Sequence, residues 1–160
     1  MELLTWLEAS LLGQAVRGAG VWSYAVINLV HILGVATLFG SVLVLDLKLM
    51  GLFPRAALGT LSVPTVPLAA LGFSIAVASG VCLLATTASE YRGNPFLLIK
   101  FGAIFVALAN FALVQRSSAW RARGTNAFSR RQRIQLAVGG AVSLLAWTTA
   151  VTAGRMLGYW

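Results

Sequence analysis

The stretch Val21–Leu45, VWSYAVINLVHILGVATLFGSVLVL, holds no acidic or basic side chain other than the single histidine His31. An α-helix rises about 1.5 Å per residue, so about 20 such residues cross a hydrocarbon core about 30 Å thick. This run is long enough to span a bilayer, and three others follow it. Residues 56–89 are also uncharged, too many for one span. Pro64 and Pro67 suit a helix start better than its middle, which predicts a short interfacial turn and a second span from about Pro67 to Thr87. Glu90-Tyr91-Arg92-Gly93-Asn94-Pro95 reads as a polar turn whose proline opens a third span, Pro95–Gln115. The fourth span is Ile134–Tyr159. Between the last two lies a basic loop, 116–133, interrupted by Gly124 and Asn126 and expected in water or among headgroups.

Composition agrees with this segmentation. The chain has 160 residues, 59% hydrophobic and 10% charged, with a mean hydropathy of +0.86. Soluble domains run nearer about 45–50% apolar and about 25% charged. So few charges cannot coat a water-facing globule of this size, and most of the surface must face lipid. The expected architecture is all-α: a single integral membrane domain over 1–160, built as a four-helix bundle. Before the first span, Leu3, Leu4, Trp6, Leu7, Leu11 and Leu12 alternate with Glu2, Glu8, Gln14 and Arg17, predicting an amphipathic interfacial helix over 2–16. Its acidic start is unlike the basic n-region of a cleaved signal peptide.

Lysine and arginine resist translocation, so their distribution sets orientation. The first and third connections carry Lys48, Arg55, Arg116, Arg121, Arg123, Arg130, Arg131 and Arg133. The other side carries Arg17, Arg92, Lys100 and Arg155. Eight against four places both termini outside, in the periplasm if the membrane is a bacterial inner membrane. The net charge of +8 is then explained by topology and anionic lipid, without a nucleic-acid partner.

Few groups carry chemistry. Cys82 is the sole cysteine and His31 the sole histidine, which excludes an intrachain disulfide, multi-cysteine metal sites and a multi-histidine cage within one chain. Polar side chains inside hydrocarbon are costly and usually face the bundle interior. Tyr24, Asn28 and His31 stand at i, i+4, i+7 on the first span, with Gly34 continuing the same face as a groove for a backbone or a flat ligand. Thr148, Thr152 and Arg155 repeat that spacing on the fourth span, Ser79, Cys82 and Thr86 line the second more loosely, and Lys100 enters from the outer end of the third. These residues predict a pocket on the periplasmic side, with His31 below two cations. Haem b would fit, with His31 as its metal ligand and the propionates on Lys100 and Arg155; so would a quinone or an anionic lipid. The alternative is interhelical hydrogen bonding by His31 and snorkelling by the two cations.

At the inner end, Asp46 is expected to pair with arginines of the basic loop, and Asn110 to hydrogen-bond a neighbouring helix. Gly72, Gly80, Gly102, Gly139 and Gly140 read as packing positions, and Trp6, Trp22, Trp120 and Trp160 as interfacial anchors.

His31-Ile-Leu-Gly34, Gly40, Asp46-Leu-Lys-Leu-Met-Gly51, Asn94-Pro95-Phe96-Leu-Leu-Ile-Lys100, Asn110 and Ala153-Gly154-Arg155 together resemble a group of small four-span bacterial inner-membrane proteins of unassigned function. More distantly, His31, Pro95 and Lys100 are similar to positions in CopD-like copper-resistance and HemJ-like haem-associated membrane proteins. The resemblance implies a shared bundle and a ligand pocket on the outer side. One histidine and three methionines fall short of a copper-handling ligand set, and the oxidase chemistry of the HemJ-like proteins needs histidines that this chain lacks.

The sequence thus predicts a membrane binding or accessory subunit, not an enzyme on its own, that holds haem b or a quinone-like amphiphile for electron transfer. It would contact lipid and act as a homo-oligomer or as part of a membrane complex. The alternative is a structural scaffold or anchor with no redox role.

Overall fold

The structure, a computed structural model, describes residues 2–125 and 127–159, so Asn126 and the expected anchor Trp160 lie outside the described residues. Helices and turns make up the described residues, without a strand: α1 Glu2–Ala9, α2 Leu11–Gly18, α3 Val21–Leu49, α4 Leu58–Thr86, α5 Pro95–Arg116, α6 Ser118–Arg121 and α7 Arg130–Met156. Four of them, α3, α4, α5 and α7, are long and apolar enough to cross a membrane. Large apolar side chains such as Leu98, Phe105 and Leu145 are exposed along them, as a lipid-facing surface requires. The chain is a multi-pass membrane protein.

Packing runs in the order α4, α3, α7, α5. The pairs α3–α4 and α5–α7 are the tightest, α3 joins them through α7, and α4 and α5 barely meet. Small residues make each seam. A methyl group on Gly34 would lie 2.9 Å from the Ala76 nitrogen, so the groove expected at Gly34 is filled by the backbone of α4. Gly140 approaches the Asp46 carbonyl oxygen and Gly139 the Val114 side chain just as closely. Gly102 meets nothing within 4 Å and is no packing position within this chain. One core cluster joins Leu38, Ala103, Ala107, Ala146, Trp147 and Ala150 at mid-bundle. A second joins Leu49, Leu58, Ala119, Trp120 and Leu136 at the end carrying the α3–α4 and α5–α7 connections.

Several elements differ from expectation for identifiable reasons. The expected single helix over 2–16 is two helices, because the Ser10 hydroxyl accepts from the Gly13 N–H at 3.2 Å and caps a new helix start. Gly13 and Val16 are buried, with a methyl on Gly13 only 2.7 Å from the Ala85 carbonyl oxygen, so α2 docks on the end of α4. Arg17 ties this corner, donating to the carbonyls of Ala85 and Thr86, each at 3.2 Å, and of Glu8 at 2.8 Å.

Helix α4 begins at Leu58 and runs through Pro64 and Pro67, where a turn and a start near Pro67 were predicted. Each interior proline removes a backbone donor. Ser62 and Thr65 donate to the Gly59 and Leu61 carbonyls in the same turns, and side-chain hydroxyls of this kind let membrane helices tolerate proline. Helix α7 starts at Arg130, ahead of Ile134, because Ser129 and Gln132 form a reciprocal capping box. The basic connection is not wholly loop: it contains α6, and Trp120, expected at the interface, is buried at 7% exposure under Leu58 and Leu136. Trp6 and Trp22 are exposed.

Candidate functional site

Toward the end carrying both termini, His31 is half-buried against α4. Its Nδ1 lies 3.1 Å from Ser79 Oγ, while that hydroxyl donates its own hydrogen to the Ile75 carbonyl at 2.6 Å. Ser79 thus anchors the ring to α4, and the Ala76 backbone also hydrogen-bonds it. Gly80 makes room for the ring: a methyl there would lie 3.1 Å from His31 Cε1. The Lys100 ammonium sits over Gly154, 3.6 Å from where a side chain would begin, and its charge is within electrostatic range of His31.

The remaining residues predicted for this pocket do not converge on it. Tyr24 and Asn28 are exposed, as are Thr148, Thr152 and Arg155. On α7 the covered face is instead Ala146, Trp147, Ala150 and Ala153. Arg155 turns along its own helix end, donating to Tyr159 Oη at 2.5 Å with its guanidinium 4.8 Å from that ring. Within one chain, the predicted outer cluster thus reduces to His31, Ser79 and Lys100. Among the described residues no group of three or more His, Cys, Asp or Glu side chains could hold a metal ion.

The opposite half of the bundle contains a cavity of about 180 Å³. Its walls are apolar and aromatic, drawn from α3, α4, α5 and α7, and include Leu38, Val42, Phe73, Phe111 and Trp147. Phe73 and Trp147 meet edge to face with centroids 6.1 Å apart, and Trp120 closes the floor. Ala70 on α4 and Leu108 and Phe111 on α5 border the cavity yet are exposed. The cavity therefore opens sideways between the two helices that barely meet.

Its polar lining groups are Asp46, Asn110, Gln115 and Ser143. Asp46, expected to pair with loop arginines, lies inside the last turn of α3 at 3% exposure, hydrogen-bonded to the Ser143 side chain. Its Oδ2 has no hydrogen-bond partner. The reason is register. One turn short of the helix end, Asp46 faces α7, while Arg116 at the end of α5 and Arg121 at the end of α6 are exposed. Asn110 donates to the Gly139 carbonyl at 2.9 Å across the α5–α7 seam. The sequence marked Asp46 and Asn110 separately, since both are polar within apolar runs, but a single Ser143 on α7 gave no comparable signal.

Comparison with known proteins adds no relative: no family model, curated protein or solved structure matches the chain.

Proposed function

We propose that the chain is a membrane-embedded binding subunit that takes a small, largely apolar molecule from the bilayer into the cavity between its helix pairs, and carries out no chemistry by itself. The observation that carries this reading is the cavity: apolar and aromatic walls, a few convergent polar groups at one end, and a lip exposed between α4 and α5. The setting is a bacterial inner membrane with both termini periplasmic, which puts the cavity in the cytoplasmic half. The test is mass spectrometry of small molecules that co-purify with the protein in detergent, compared with Ala69→Phe, which projects a ring from the lining into the space. Enrichment of a compound in the wild-type protein and its loss in the variant support the reading. Identical extracts sink it.

A second reading, electron transfer through haem b or a quinone at His31, draws support from the anchoring of the ring, whose Nδ1 contacts Ser79. His31 and Lys100 suit such a group; Arg155, committed to Tyr159, does so only after turning. An absorption spectrum from 350 to 700 nm, before and after dithionite, decides it. A Soret band lost in His31→Ala makes the protein a cytochrome-like subunit, and a flat spectrum from cells supplied with haem ends the haem version.

A further inference from the structure

Among the described residues, Asp46 is the only ionisable side chain in the cavity lining, and it is buried at 3% exposure with Oδ2 unpartnered. A carboxylate isolated from water and from any cation is costly to keep, so the group is balanced only when it holds a proton or meets a positive partner. No lysine, arginine or histidine borders the space. Ser143 supplies one hydrogen bond, Asn110 has its Nδ2 committed to Gly139, and Gln115, the other amide in the lining, carries no charge. What the polar end lacks is a donor with positive charge. The aromatic rings of Phe73, Phe111 and Trp147 along the walls are themselves favourable to organic cations, whose charge their faces attract. An anionic ligand would meet the Asp46 carboxylate head-on, a neutral one is matched only while Asp46 keeps its proton, and a cation balances the ionised form.

We infer that the ligand class is a lipophilic amine, bound as a protonated ammonium whose N–H groups pair with the Asp46 carboxylate while its apolar body lies against the Phe73–Trp147 pair. This rests on the reading of the cavity as a ligand site. It adds the identity of the head group. The amine would enter from the bilayer through the gap between α4 and α5, carrying its proton with it, and no covalent step is involved.

The test uses three molecules of similar size and different charge: phenethylamine, phenethyl alcohol and phenylacetate. Each is equilibrated by dialysis at pH 7 with the full-length protein in zwitterionic nanodiscs, and binding to empty nanodiscs is subtracted. The expected result is that phenethylamine binds at least about tenfold tighter than the alcohol, the margin a charge-assisted hydrogen bond in a dry site provides, and that phenylacetate does not bind. Asp46→Asn should bring the amine down to about the affinity of the alcohol. Equal binding of amine and alcohol by the wild-type protein overturns the amine assignment, and needs no variant to fold. If that shared binding is lost in Ala69→Phe, the cavity still stands as a ligand site. Binding of none of the three, or binding that Ala69→Phe leaves intact, overturns both.

Discussion

Gly72 lies so close to Gly34 across the α3–α4 seam that a methyl group on it would stand 2.8 Å from the Gly34 carbonyl oxygen and 2.5 Å from the Leu38 nitrogen. Both neighbours are backbone, which cannot rotate away. Gly72→Ala should therefore force the two helices apart at the cost of about 1–3 kcal/mol typical of overpacking, and Gly72→Val more. Gly102→Ala, with open space around it, should be neutral or stabilising by about 0.4–1 kcal/mol. Unfolding in detergent, followed by helical circular dichroism, distinguishes the pair. Equal effects would refute the seam.

Trp120 offers a contrast between two tryptophans in one chain. It is buried among Leu49, Leu58 and Leu136, with Arg123 stacked 5.0 Å from its ring centre, whereas Trp22 is 85% exposed. Trp120→Ala should cost about 3–5 kcal/mol, as for large aromatic side chains removed from cores. Trp22→Ala should stay within about 0.5 kcal/mol in detergent. The same unfolding measurement checks both.

Glu8 fastens α1 to the turn after α4, outside the spans. Its Oε2 accepts from the Ser89 N–H at 2.7 Å, and the Ser89 side chain, then its backbone N–H, then the Arg17 charge hold the carboxyl below its usual range against a small opposing effect of burial. A carboxyl with a lowered value in the folded state stabilises the contact above its ordinary value of about 4.5, and loses that contribution as pH falls through the lower folded value. The Ser89 amide resonance should therefore titrate with a midpoint below 4.5 in the wild-type protein and lose that titration in Glu8→Gln. A midpoint at or above 4.5 would show that the contact does not favour the ionised form.

Orientation follows from the charge count and is checked by labelling. In a Cys82→Ser background, a cysteine introduced at Gly158 should react with a membrane-impermeant maleimide on intact cells, and one at Arg123 only after lysis. The reverse pattern would invert the molecule and put the Asp46 cavity in the outer half.

The four spans were legible because a hydrocarbon slab of fixed thickness imposes a run of apolar residues that no other constraint imposes. Leu58–Pro67 reads as a turn because proline is a helix breaker in water, whereas α4 runs through both prolines, as membrane helices can where neighbouring helices and local adjustment support the backbone. The periodic placing of Tyr24, Asn28 and His31 states only that they share a face. Which part of that face a neighbour covers depends on where the helices cross, and α4 covers His31 and leaves the other two exposed. Asp46 was visible as a lone acid beside Leu45, but its burial depends on Gly140, nearly a hundred residues later, coming within contact of the Asp46 backbone.

The gap between α4 and α5 also sets how occupancy depends on concentration. A molecule that enters sideways searches a surface and not a volume, and the amount that counts is what is dissolved in the lipid. Two compounds with the same fit to the cavity would then differ in apparent affinity by the ratio of their partition coefficients. A weak fit would be enough for any compound that the bilayer itself accumulates, and cells could alter occupancy by changing lipid composition alone, without a change in the protein.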